Sequence, residues 1–467
     1  MGVVIENSVW ELNPSIFIFI FVCCFFSIFL YPHASSSNLN RTATIFDHGI
    51  SSSFLRFQRN FLFVYSLASV VEGLWSVLGE FELASYGFGR DKMIMSLCYG
   101  YTTALFAAPF LGMLSDLIGH KKVCLIFCIL HFFVGVWKKI TQQPSIFMTS
   151  ICLSMANTIF SFSFEAWMVT QHEKQGHRLD SLNDTYWLMT FFESACFIAS
   201  QMFANWLVGN NMEKNSAPSS AVMFLAIICF IFLTRGWTEA PTTTSFKEYS
   251  LSFYECIFGD KRIWLLTWAQ TCLHFSIGIF WILWAPTVVA DGREVQLGLI
   301  FTCFLGSRML GSTVFPCLTS GPSSLRIEDC LVFAYIILAL LLSIVAYDYQ
   351  EIGVLVTVFS LFHACVGFIL PSLARLRTMY VPNELRGGMM GLSLAPANAA
   401  ILLSVGGYYR TVGNAALMAF GAFGFGSDGC QSLLLYALGS KKINNVDDKM
   451  QARGKRSQRN TSTTIEC

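Results

Sequence analysis

Gly112-Met-Leu-Ser-Asp116-Leu-Ile-Gly119-His120-Lys121-Lys122 joins two long apolar stretches and sets the reading of the whole chain. Its pattern is Gly-x-x-x-Asp-x-x-Gly followed by a basic cluster. The two glycines allow a tight turn where two helices leave the membrane side by side. Asp116 falls near the end of one helix. Lys121 and Lys122 fall at the start of the next, where their charge stays in water. Around this loop 54% of the 467 residues are hydrophobic and 13% are charged, about half the charged share of a soluble domain. Lysine plus arginine nearly balance aspartate plus glutamate, 30 against 29, so no global charge points to nucleic acid. The 16 cysteines are scattered through apolar segments without metal-ligand or disulfide spacing and read as small core residues.

A bilayer span needs about 20 apolar residues. The first lies at Pro14 to Tyr31, with no lysine or arginine before it. It reads as an anchor helix, since a signal peptide has a basic leading region. Residues 32–55 read as a polar linker. Twelve further spans are predicted at 57–83, 93–116, 122–140, 145–169, 184–209, 218–236, 262–288, 296–318, 328–348, 351–374, 386–408 and 412–438. The last is interrupted by Gly424-Phe-Gly-Ser-Asp428-Gly. Residues 237–261 form the longest polar gap, so the twelve divide into a first bundle over 56–236 and a second over 262–440. A basic tail covers 441–467. With the Gly112–Lys122 loop in the cytoplasm, 22 of the 30 lysines and arginines fall on that side and 7 on the other, Arg308 lying within a span. The positive-inside rule therefore puts the loop and the C-terminus in the cytoplasm and the N-terminus outside.

Twelve spans split six and six, with this loop between the second and third, resemble the major facilitator superfamily, whose signature the loop matches. His120 stands where many members carry arginine. Five other stretches resemble the molybdate-anion transporter branch, including its plant members. They are Ser53-Phe-Leu-Arg56-Phe-Gln58, Ser163-Phe-Glu165-Ala-Trp167, Trp284-Ala-Pro286, Leu310-Gly311-Ser312 and Val381-Pro382-Asn-Glu384-Leu-Arg386-Gly387. The resemblance covers most of residues 50–410. It implies an all-α membrane protein, a 6+6 helix bundle plus one extra N-terminal helix. It also implies uptake of molybdate, an oxyanion dianion, by alternating access between the two halves. The expected setting is the plasma membrane, with a monomer as the working unit.

Ionisable side chains inside spans face the protein interior or a watery cavity, because exposing them to lipid is expensive. Glu72, Glu165, His274 and His363 fall one each on the first, fourth, seventh and tenth spans, which the resemblance implies line the central cavity. His274 stands where relatives carry glutamate. Arg308, in the eighth, is the sharpest position: a dianion needs a fixed cation with several donors, and arginine supplies both. The alternative is an arginine paired permanently to a carboxylate. Gly306, Ser307, Gly311 and Ser312 around it would admit a ligand or another helix. Glu72 reads as the acid that takes up a co-transported proton, or else as the partner of Arg308 or a hydrogen-bonded structural glutamate. His131 and Glu193 read as interhelical polar contacts.

Gly112, Asp116, Gly119, Lys121 and Lys122 are expected to gate the cytoplasmic face, together with Glu384 and Arg386, which the resemblance places at an inner gate beside Arg375 and Arg377. The sequence contains no Gly-Lys-Ser/Thr phosphate loop, and no nucleophile, base and orienting group recur at usable spacing. An enzyme, an ATP-driven pump, a bound cofactor and a metal site are therefore not expected. Two rivals stand beside molybdate uptake: transport of a sugar or organic anion, favoured by aromatics such as Phe280-Trp281-Ile-Leu-Trp284, and a non-transporting membrane sensor of the same fold.

Overall fold

Within a bilayer every backbone N–H and C=O must be satisfied inside the protein, so apolar runs of this length become helices. The computed structural model describes residues 10, 12–42, 52–85, 90–141, 145–177, 179–209, 217–239, 245–289, 295–319, 326–347 and 351–408. Thirteen α-helices follow one another in these residues. They are α1 Pro14–Thr42, α2 Ser52–Ser85, α3 Arg90–Ile118, α4 His120–Ile140, α5 Ile146–Lys174, α6 Leu179–Gly209 and α7 Ala217–Gly236. After these come α8 Phe246–Gly259, α9 Lys261–Val288, α10 Leu297–Thr319, α11 Ile327–Tyr347, α12 Ile352–Tyr380 and α13 Arg386–Tyr408. The span predicted at 412–438 and the tail lie outside the described residues.

Nine described helices are long and apolar enough to cross a membrane. Helices α2 and α6 have 34 and 31 residues but are more polar. Their Gln58, Glu72 and Glu193 bond to other helices. Among the described residues α2–α7 precede α8 and α9–α13 follow it, and these two sets of helices are the first and second half. The closest crossing between halves is α3 on α13. There Ala108 and Gly112 meet Gly387 and Gly391, and a Cβ on Gly112 would strike the Gly387 carbonyl. Small residues spaced by four let two backbones approach in this way. Inside the second half, Gly311 faces the backbone of Ala364 and Gly367 that of Arg308.

Two expectations change and one is narrowed. Gly112 is not a turn residue: α3 runs through it to Ile118, and only Gly119, at φ 108°, makes the turn. The residues around Arg308 admit helices: Gly311 receives α12, while Gly306 faces Ile20 and Phe21 of α1 and its carbonyl accepts from the Cys24 thiol at 3.6 Å. Finally, polar stretches on both sides of the first half are helical. Helix α1 continues to Thr42, and α8 occupies the gap at 237–261. Helix α8 forms there because Ser245 and Glu248 make a capping box, each side chain bonded to the other's backbone N–H at 3.3 Å, which satisfies two otherwise orphaned groups.

Candidate functional site

Polar side chains join the two halves at three depths. The deepest toward the Gly119 turn is Asp116. Its Oδ1 accepts from the Gly387 N–H at 2.9 Å, and its Oδ2 from the Gly388 N–H at 2.7 Å and the Tyr249 hydroxyl at 2.8 Å. Those N–H groups belong to the first turn of α13 and have no acceptor within their own helix. The carboxylate also faces the positive end of the α13 dipole. Both glycines are required by closeness, since a Cβ on Gly387 would stand 2.7 Å from Asp116 Oδ1 and one on Gly388 would collide with the Tyr249 hydroxyl. His120 is buried, 3.8 Å from Asp116 and 2.7 Å from Ser115. Burial, reinforced by the neighbouring Asp116, raises the Tyr249 hydroxyl well above its usual range, so it stays a donor.

The lysines behave differently from Asp116. Lys121 stays within the first half: its ammonium donates to the Thr234 and Trp237 carbonyls at the end of α7, and its N–H to Glu239 at 3.1 Å. Glu239 thereby caps the start of α4. Lys122 is exposed, and so is Glu384.

One layer further in, Glu165 of α5 receives a two-pronged bond from Arg377 of α12, Nε at 2.9 Å and Nη2 at 2.6 Å. Arg386, fully buried, stands 3.6 Å from the same carboxylate and donates to Asn383 at 3.0 Å. Arg377 Nη1 reaches Gln270 at 3.1 Å, and Gln270 lies 3.5 Å from His274. Tyr186 to Thr378 and Asn383 to Glu173 are further bonds between the halves. Trp167, two residues after Glu165, stacks on Trp237 with ring centres 3.6 Å apart.

The third layer lies at mid-span. Arg308 Nη2 donates to Glu193 Oε1 at 2.7 Å, and the Tyr65 hydroxyl donates to Glu193 Oε2 at 2.6 Å. Arg308 lies on α10, Glu193 on α6 and Tyr65 on α2, so one carboxylate ties an arginine of the second half to a tyrosine of the first. Arg308 Nε is buried with no hydrogen-bond partner among the described residues. His363, one turn before the Gly367 that touches the Arg308 backbone, has neither ring nitrogen bonded among the described residues. It packs against Phe280, Trp281 and Phe304 at 4.6, 5.0 and 5.5 Å.

Glu72 is not the partner of Arg308. It lies 3.2 Å from His131 of α4, inside the first half. Of the five residues within spans singled out from sequence as substrate-binding, Glu165 and His274 are linked through Arg377 and Gln270, while Arg308 and His363 share the α10–α12 contact. Gln270 was visible in sequence as an amide in an apolar span, a signal that a search for ionisable groups passes over. Tyr65 and Tyr186 carry no such mark among so many aromatics. No group of three or more His, Cys, Asp or Glu suited to a metal occurs among the described residues.

Two helix bundles joined along α3–α13 and α6–α10, with the Arg308–Glu193 and Arg377–Glu165 ion pairs bridging them, define a multi-pass membrane transporter of major facilitator fold. The model for the family described as sugar transporters with 12 transmembrane spans, MFS_5, matches residues 28–367, and the chain belongs to that family. Molybdate-anion transporters of Xenopus laevis and Takifugu rubripes are 24% and 22% identical to it over 374 and 425 residues. The alignments cover 79% and 83% of this chain and 80% and 87% of theirs. Among solved structures, a variant of the E. coli fucose:proton symporter FucP superposes with a TM-score of 0.64 at 13% identity, over 82% of this chain and 99% of that one. The human organic anion transporter MFSD10 (TETRAN) gives 0.64 at 12% identity, over 80% and 99%.

Proposed function

We propose that this transporter takes up molybdate or a closely related oxyanion into the cytoplasm by alternating access, acting as a monomer in the plasma membrane. The observation that carries this reading is the mid-span Arg308, a permanently charged guanidinium at the seam between halves whose buried Nε has no hydrogen-bond partner among the described residues. The molybdate-anion transporters among its relatives supply the substrate class. At rest Glu193 neutralises Arg308. An arriving dianion displaces that carboxylate, and protonation of Glu193 or Glu72 lowers the repulsion it meets. The Gly119 turn then faces the cytoplasm. Asp116 on Gly387 and Gly388, with Glu165 on Arg377 and Arg386, holds that face shut while the other admits the anion.

The test is uptake by the full chain in proteoliposomes, comparing molybdate with sulfate, phosphate and glucose, with and without a pH gradient. Molybdate uptake driven by inward-directed protons is expected. Arg308→Gln should abolish it while the chain still reaches the membrane, and Glu72→Gln should remove the pH-gradient dependence if Glu72 is the coupling acid. Glucose uptake without molybdate uptake would replace this reading with the sugar rival, which the aromatic wall of Phe280, Trp281 and Trp284 and the family's description favour. Uptake of nothing would favour the sensor.

A further inference from the structure

Helix α8 has two faces that point in opposite directions. Tyr249, Phe253, Cys256 and Ile257 recur at spacings of three and four and turn toward the bundle, with Tyr249 and Ile257 3% and 2% exposed. On the far side Leu251, Tyr254 and Phe258 are 62, 63 and 62% exposed. At 100° per residue their stripe is centred about half a turn from the Tyr249 face. The stripe does not end with the helix. Phe258 stacks on Trp264 of α9 at 6.1 Å, beyond the Asp260 that caps α9. Trp264 and Trp268 are themselves exposed on a membrane span. The apolar row of α8 is thus continuous with the exposed aromatic surface of a helix long and apolar enough to cross a membrane. Aromatic residues at such a junction are suited to the boundary between headgroups and acyl chains.

We propose that α8 is an in-plane membrane-surface helix. Its Leu251–Tyr254–Phe258 stripe sits in the lipid interface. Its opposite face presents the Tyr249 hydroxyl to Asp116, so that the bilayer itself supports the bond between Asp116 and the first turn of α13. The occupant of the stripe is lipid and not a partner protein, because the row merges with the exposed surface of that membrane-length helix without a break. The charges beside it balance, Lys247, Lys261 and Arg262 against Glu248, Glu255 and Asp260, so the proposal needs no anionic headgroup. Nor does it depend on which solute is carried.

A photoreactive benzoylphenylalanine at position 251, 254, 258 or 264 of the full chain, reconstituted in vesicles of phosphatidylcholine, tests the lipid contact. Intact-mass spectra should show lipid adducts from all four, and none from the same probe at 249. Adducts from 264 with none from 251, 254 and 258 would overturn the membrane face. Hydrogen exchange at residues 386–392 in the same vesicles tests the second part. Tyr249→Phe, which removes one bond to a carboxylate, should speed exchange there about tenfold. Leu251→Glu/Tyr254→Glu should do the same in vesicles but not in detergent. Unchanged exchange in Tyr249→Phe would sink the link to Asp116. Equal acceleration of the double variant in both media would assign its effect to helix packing alone.

Discussion

At the residue scale, three carboxylates do three different jobs because of what each one touches. Glu193 holds Arg308. Replacing it by glutamine leaves that guanidinium without its counter-charge. We expect Glu193→Gln to bind an oxyanion more tightly and to lose part of its pH-gradient dependence in uptake assays; unchanged pH dependence would clear Glu193 of any coupling role. Asp116 accepts three hydrogen bonds, and bonds to charged groups are worth about 1.5–3 kcal/mol each. Asp116→Asn should therefore shift the balance between open and closed at the Gly119 end by tenfold or more, read as reagent access to a cysteine placed at Thr378. Glu239, outside the spans, has its carboxyl raised above 4.5 by burial first, while the α4 N–H groups and nearby lysines oppose that rise. The folded chain then holds this proton more tightly than the unfolded one, so the contribution of Glu239 to stability falls as pH rises through the window above 4.5 and levels off beyond it. The apparent melting temperature in detergent should show that slope, and Glu239→Gln should flatten it.

At the scale of elements, the α3–α13 crossing depends on the absence of side chains. Gly391 meets the Ala108 carbonyl and Gly112 that of Gly387. Filling a close-packed site costs about 1–3 kcal/mol. Gly391→Leu should lower the apparent melting temperature and slow transport, whereas the same change at Gly353, where a Cβ meets nothing, should do neither. A Gly391→Leu chain as stable and active as the parent would show that this crossing is open in the working protein. Helix α1 rests on α10 through Ile20, Phe21 and Cys24 at Gly306, two residues from Arg308.

For the whole molecule, the bonds between halves gather at one end. Asp116, Glu165, Tyr186 and Glu173 all reach α12, α13 or the turn between them near Gly119, while Gln201 with Gly298 and Thr302 is the bond toward the other end among the described residues. Breaking a buried ion pair from one side costs about 3–5 kcal/mol, because the survivor keeps its charge without a partner. Glu165→Gln should thus destabilise the arrangement more than Glu165→Gln/Arg377→Gln does. Apparent melting temperatures of these two variants and of Arg377→Gln provide the check, and strict additivity would show that the pair is not coupled.

The class of protein was legible in the chain alone. Apolar run length is a local property and marks the helices, while the Gly112–Lys122 pattern carries the resemblance to the superfamily. Arg308 was marked in the same way, because a charge in a span stands out in any arrangement. Which side chains meet is a matter of the folded molecule. Glu72 and Glu193 are equally visible carboxylates in apolar helices, but α2 turns one toward His131 while α6 carries the other to Arg308. Gly112 is a turn glycine in one dimension and a helix contact in three, since its meaning depends on Gly387, 275 residues away. The two faces of α8 are likewise assigned by Asp116 on one side and an uncovered stripe on the other. Pairings of this kind follow from how helices cross, and the crossing is set by the sum of many small contacts that no single stretch of chain contains.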